Sequence, residues 1–214
     1  MPVPPRSTTA DAHWSARVAG ILSAAPARAG RSRVLAVEGR SGSGKSLLAS
    51  LLADRIGCPV VHMDDLYPGW TGLAAAVPLA LDHVVAPLAR GRDPRWPRFD
   101  WERGRHAGWA GTAARDTLIL EGCGSGARDL RPYLSALIWV DAPAQVRARR
   151  LAHRADAAAY APYRRMWARQ EDAFYAAHEP HAHADLVLDN ARDHPDPHAS
   201  PDSPAVPEAG PPPR

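Results

Sequence analysis

Between an apolar run that ends at Glu38 and a helical pattern that opens at Lys45 lies the loop Gly39, Arg40, Ser41, Gly42, Ser43, Gly44, Lys45, Ser46. A glycine-rich loop in that position leaves few architectures open, because a strand must feed it and a helix must carry the chain back along a sheet. The eight residues satisfy G-x-x-x-x-G-K-[ST]. In such a loop the glycines let backbone N–H groups turn inward around phosphate oxygens, and the helix start adds its positive dipole end. The Lys45 ammonium then serves the β and γ phosphates, and the Ser46 hydroxyl serves Mg²⁺. Of the 26 Lys and Arg residues in the 214-residue chain, Lys45 is the only lysine. A chain that elsewhere uses guanidinium keeps one compact ammonium, and it keeps it in this loop.

The rest of the sequence supplies the alternation that such a loop needs. "RVLAVEG", "CPVVHMDD", "DTLILEG", "SALIWVDA" and "ADLVLDN" read as strands, and consecutive apolar residues within them fit strands covered on both faces. An amphipathic helix is expected over 11–25, and further helices at "KSLLASLLADRIG", "AQVRARRLAHR" and "YRRMWARQEDAFYAAH". The expected fold is α/β of the P-loop NTPase class: a mostly parallel five-stranded sheet with helices on both faces. Composition divides the chain into an N-terminal tail (1–10), one folded domain (11–190) and a proline-rich C-terminal tail (191–214). The start carries no pattern of a secretory signal, the apolar stretch "GLAAAVPLAL" is too short to span a bilayer, and two cysteines make no disulfide framework. A cytoplasmic location with no membrane partner is expected.

In sheets of this kind ligands bind beyond the carboxyl ends of the strands. That rule collects the phosphate loop from Gly39, the pair Asp64 and Asp65, Glu121 with Gly122, and Asp141. Phosphoryl transfer to an alcohol needs a group that accepts the hydroxyl proton, and an Asp within hydrogen-bond reach does so; a carboxylate also holds Mg²⁺. Adjacent strand residues point to opposite sides, so Asp64 and Asp65 are not expected to act alike. Between Asp93 and Trp109, aromatic residues alternate with Arg95, Arg98, Arg103 and Arg105, a mixture suited to stacking on a base or sugar and to anions. Further on, Arg147, Arg150 and Arg154 fall on one helical face. Arg150 and Arg154 are the expected lid arginines at the transferred phosphoryl group. A switch GTPase of the usual kind is excluded, since N-K-x-D needs a second lysine, and the motifs of a protein kinase are absent.

With these residues in view, the chain resembles the uridine kinase-like family of P-loop kinases. "VLAVEGRSGSGKS" is similar to the family's opening strand and loop, "MDDLYPGW" to its D-x-F-Y segment, "RFDWERGR" to its aromatic-Asp-aromatic stretch, "LILEG" to its strand ending in Glu-Gly and "RARRLAHR" to its arginine-bearing lid. The resemblance implies ATP and Mg²⁺ as cofactors, Asp64 as catalytic base beside Lys45, and Ser46 with Glu121 at the metal. It also implies an acceptor pocket from Asp65, Tyr67, Phe99, Asp100 and Trp101. The nearest histidine after the aromatic stretch, His106, stands behind "ERGR", and the sequence after Arg154 lacks the usual second arginine cluster. The expected activity is ATP-dependent phosphorylation of a small-molecule hydroxyl, a nucleoside such as uridine or cytidine first. The alternative is a P-loop ATPase or regulator whose arginine- and aromatic-rich stretch grips nucleic acid or a protein partner. A nucleic-acid partner is the less favoured reading.

Overall fold

The computed structural model describes residues 3–192. In chain order these form β1 (Arg6–Thr8), α1 (Trp14–Ala24), β2 (Arg33–Glu38), α2 (Lys45–Ile56) and β3 (Val60–His62). A helical stretch follows, in which α3 (Ala76–Ala80) and α4 (Ala86–Ala89) flank a π-helical segment at Leu81–Val85. The hairpin β4 (Arg95–Asp100) and β5 (Arg105–Gly111) comes next, then β6 (Thr117–Glu121) and β7 (Leu134–Asp141). The chain continues through α5 (Ala144–His153), α6 (Ala157–Tyr160), α7 (Arg164–His178) and β8 (Leu186–Asp189).

All six strands of the main sheet are parallel, in the order β1-β8-β7-β2-β6-β3. The loop-bearing strand β2 lies between β7 and β6 inside the sheet, so both of its faces are covered. Its residues alternate accordingly. Val34 and Ala36 join a core with Leu118, Leu120 and Trp139 that packs under α3, α4 and α7. Leu35 and Val37 join a second core with Ile119, Ile138 and Val140 under Val18 of α1 and Leu48 and Leu52 of α2. Period-two alternation in the strands meets a helical stripe on each side, which fixes the register of the sheet.

Two sequence expectations are corrected. The sheet has six strands rather than five, because Arg6–Thr8, expected in an unstructured tail, forms β1 on the outer edge of β8. That strand has almost no apolar content and is held through its backbone and flanks: Val187 N–H donates to Pro5 O at 2.8 Å and Thr9 N–H to Asp189 O at 2.9 Å. Adding it covers what would otherwise be an open parallel edge. The stretch expected only as a pocket wall, 93–109, is mostly an antiparallel hairpin, with Trp96 and Phe99 buried. The expected C-terminal tail lies outside the described residues beyond Arg192. Among the described residues no helix is long and apolar enough to cross a membrane.

Candidate phosphate-binding and acceptor site

The loop from Gly39 to Ser46 leaves β2 at the centre of the sheet and enters α2 at Lys45, with Gly44 as the N-cap. Its glycines are demanded by their surroundings. Gly39 has φ 155°, and a Cβ there would lie 2.5 Å from Val140 O; Gly42 has φ 78°, and a Cβ would lie 2.6 Å from Arg147 O. Neither neighbour is a movable side-chain tip, so only glycine fits.

Buried groups that sequence reading overlooked hold this loop in place. Glu38, fully buried at the end of β2, accepts hydrogen bonds from the N–H groups of Gly39, Gly124 and Gly126 at 2.8–2.9 Å and from Tyr175 Oη at 3.0 Å. Burial pushes its pKa up to about 7 against those donors and the pull of Lys45. Glu171 of α7 accepts from Ser41 N–H at 2.8 Å, Ser41 Oγ at 2.7 Å and Trp167 Nε1 at 3.2 Å. A signal for it existed: Trp167, Glu171 and Phe174 share one buried helical stripe, and a carboxylate on such a stripe needs a partner. Asn190, just past β8, donates from Nδ2 to Ser43 O at 2.7 Å and accepts from Thr9 Oγ1 at 2.9 Å.

On the inner side of the loop the structure brings several expected residues together. Ser46 Oγ donates to Glu121 Oε1 at 2.9 Å, and Glu121 Oε2 lies 2.7 Å from Nδ1 of His62, a residue that sequence reading did not single out. The hydrogen bond to Glu121 raises the His62 pKa. Burial alone would raise that of Glu121, yet the bond from His62, the charge of Lys45 and the bond from Ser46 hold it below the ordinary carboxylate value. Lys45 is governed by the same balance: burial would lower its pKa, but the carboxylates of Glu121, Asp64 and Glu171 raise it, so it stays an ammonium. A hydroxyl and a carboxylate oxygen side by side at the loop's end are hard oxygen ligands suited to Mg²⁺, which needs few protein ligands when phosphate and water complete its octahedron.

Asp64 and Asp65 are not strand residues. β3 stops at His62 and Met63–Asp65 form a 3₁₀ turn, so the expected strand alternation does not apply and both carboxylates line one cavity of about 350 Å³. Asp64 is reached by solvent through the mouth of that cavity. The protein packed around it and the neighbouring Glu121 raise its pKa, while Lys45, Arg154 and His62 oppose the rise. Asp65 accepts from Trp96 Nε1 at 3.3 Å and Arg98 Nε at 3.2 Å, which ties the hairpin to the site. Tyr67 is buried with its ring against the cavity, and its hydroxyl donates to Cys123 O at 2.7 Å. Trp101 closes another wall and donates from Nε1 to Asp64 O at 3.1 Å.

Three expected site residues lie elsewhere. Phe99 packs edge-on against Trp101 and His106 behind the cavity wall. Asp100 accepts from Arg103 N–H and Nη1, both at 2.9 Å, and so closes the hairpin turn; with Phe99 and Trp101 it lines a separate cavity of about 300 Å³. Arg150 donates to the carbonyl oxygens of Ser43, Asn190 and Arg192 at 3.1, 2.9 and 2.7 Å, which commits it to the outer side of the loop. Its helix ends at His153, and Arg154 has extended backbone (φ −66°, ψ 150°), so the expected common face of Arg147, Arg150 and Arg154 is broken there. Released from the helix, Arg154 reaches the cavity that Asp64 lines.

No protein-family profile matches the chain. A comparison with curated proteins likewise finds no match. Solved structures do match. One is described as a "Possible Uridine Kinase" from Bacillus stearothermophilus, at 22% identity and TM-score 0.55, over 74% of this chain and 89% of that one. Another is a gluconokinase from Sinorhizobium meliloti, at 22% identity and TM-score 0.42, over 76% of this chain and 85% of that one. The first likeness shows a common fold.

Proposed function

We propose that the chain is an ATP- and Mg²⁺-dependent phosphotransferase acting on the hydroxyl of a small molecule. The observation that carries the reading is the convergence of Lys45, Ser46, Glu121 and Asp64 where the phosphate loop meets an aromatic cavity. The loop amides and Lys45 would hold the β and γ phosphates, and Ser46 and Glu121 would hold Mg²⁺, which when bound would supply neutralisation of charge on the phosphates. Asp64, beside the cavity, takes the acceptor's proton as the acceptor oxygen bonds to the γ phosphorus and the bond from that phosphorus to the bridging oxygen of ADP breaks. Arg154, which shares the cavity with Asp64, stabilises charge on the transferred group. By resemblance a nucleoside heads the acceptors to be tried, and the flat aromatic walls suit a ring.

The nucleic-acid reading has less support, because Arg98 and Arg103 of the hairpin pair with Asp65 and Asp100. The test is incubation with Mg·ATP and a panel of nucleosides, sugars, sugar acids and amino alcohols, with product mass as readout. One acceptor should gain a phosphate. Asp64→Asn should keep nucleotide binding and lose at least about a hundredfold in turnover, the lower end for general base catalysis. Lys45→Ala should weaken nucleotide binding itself. Near-normal turnover by Asp64→Asn would remove it as the base.

A further inference from the structure

The chemistry of the acceptor cavity narrows the class of molecule that it takes. Trp70, Trp101, Tyr160 and Trp167 form much of its wall. The polar hydrogens of three wall residues are already used inside the protein: Trp101 Nε1 on Asp64 O, Trp167 Nε1 on Glu171 and Tyr67 Oη on Cys123 O. Trp101, Trp167 and Tyr67 therefore offer ring surface and not donors, and a ring face is a region of negative potential; Trp70 stacks on Tyr163 and leans on Trp101, with centroids 4.6 Å apart in each pair. Among the described residues, the acidic groups at the cavity are Asp64, Asp65 and Asp156, and the one basic side chain lining it is Arg154.

Arg154 shows what this wall accommodates. Its guanidinium lies 5.8 Å from the centre of the Tyr160 ring, and its Nε and Nη2 contact the two Asp156 oxygens at 2.8 and 2.5 Å. A cation is thus already seated between an aromatic ring and a carboxylate. The arginines that would favour an anionic acceptor are turned outward: Arg98 and Arg103 are exposed, and each is paired with an aspartate.

We infer that the acceptor is an alcohol carrying a positive charge, an amino alcohol or amino sugar whose ammonium rests on the aromatic wall while its hydroxyl faces Asp64. This rests on the phosphotransferase reading and adds the charge of the substrate to it. Ammonium recognition by ring faces and carboxylates needs no directed donor from the protein, which matches the engagement of the Trp101, Trp167 and Tyr67 donors elsewhere. A pyrimidine carbonyl or a sugar acid would need such donors, and the guanidinium of Arg154 already commits Nε and Nη2 to Asp156.

The experiment compares isosteric pairs in the presence of Mg·ATP: choline against 3,3-dimethylbutan-1-ol, and glucosamine against glucose, with uridine and gluconate alongside. Binding is read by calorimetry and tryptophan fluorescence, and transfer by product mass. The charged member of at least one pair should bind about tenfold more tightly than its neutral partner, the size of a desolvated cation–π contact joined to a carboxylate. Trp70→Leu and, independently, the surface change Asp156→Asn should each narrow that gap. Equal binding within both pairs, tighter binding of uridine or gluconate, or no binding of either amine to protein that binds Mg·ATP would overturn the inference while leaving the phosphotransferase reading intact. Preferential amine binding with no phosphorylated product from any acceptor would uphold a cation site and count against the phosphotransferase reading.

Discussion

At the scale of single residues, the candidate site gathers carboxylates whose hydrogen-bond partners tell them apart: Glu38 meets backbone N–H groups, Glu121 meets Ser46 and His62, and Glu171 meets Ser41. Glu171 is almost fully buried and accepts two hydrogen bonds from Ser41 alone, so it holds the phosphate loop in a shape ready for ligand. Substituting Glu171→Gln exchanges a charged acceptor for a neutral one and turns a donor toward Ser41 or Cys123. The expected cost is about 1–3 kcal/mol of stability, read as a lower urea midpoint with unchanged slope. Nucleotide affinity should fall with it, and unchanged affinity would mean that the loop keeps its shape without Glu171. Lys45, Ser46, Asp64 and Glu121, which the structure brings together, were singled out in the sequence because a motif or the end of a strand states their chemistry. Glu38, His62, Glu171 and Asn190 were not found, because each acts by meeting a partner far along the chain; the Glu171 bond to Ser41 spans 130 residues. The partners of Arg150 were not legible for a related reason. Helical spacing gives the face of α5 but not the carbonyl oxygens that meet it.

At the scale of elements, the five buried strands were legible because their apolar runs have no other stable home than a sheet covered on both sides. The two missed units lack that mark. The hairpin β4–β5 is written in Arg, Pro, Gly and Trp, and its burial pattern is irregular because its register shifts between Pro97 and Phe99. β1 is Arg-Ser-Thr, and its strand character comes from β8. Through β1 the N-terminal segment also touches the site: Thr9 holds Asn190, and Asn190 holds the carbonyl of Ser43 in the loop. Deleting residues 1–8 should therefore speed hydrogen exchange at the Val187 amide, whose acceptor is Pro5 O. Thr9→Val, which keeps β1 but removes the hydroxyl, should leave Val187 protected and weaken nucleotide binding about two- to tenfold, the worth of one internal hydrogen bond. If Thr9→Val binds nucleotide as the parent does, the edge strand stabilises the sheet without reaching the loop.

At the scale of the whole molecule, the opposing shifts of buried acids link folding to pH. Glu121 has its folded pKa depressed, so its contribution is present above the unfolded value and is lost as pH falls through the folded one. Glu38 works in the other direction. Its pKa rises from the ordinary 4.5 to about 7 in the folded protein, so between those values the folded chain retains a proton that the unfolded chain has released. The unfolded state then binds fewer protons, and stability falls as pH rises through that window. A shift of this size, already net of the donors around the Glu38 carboxylate, corresponds to roughly 3–4 kcal/mol at about 1.4 kcal/mol for each pH unit. Substituting Glu38→Gln removes the titration but keeps a side chain of the same shape. The variant is expected to be less stable than the parent at pH 5, where Gln cannot satisfy every donor. Its stability should then decline less than the parent's between pH 5 and 7.5, so the two denaturation midpoints approach each other as pH rises. Parallel pH dependences would show that Glu38 is ionised throughout, held so by the N–H groups of Gly39, Gly124 and Gly126, and that the strand beneath the phosphate loop carries a permanent buried charge.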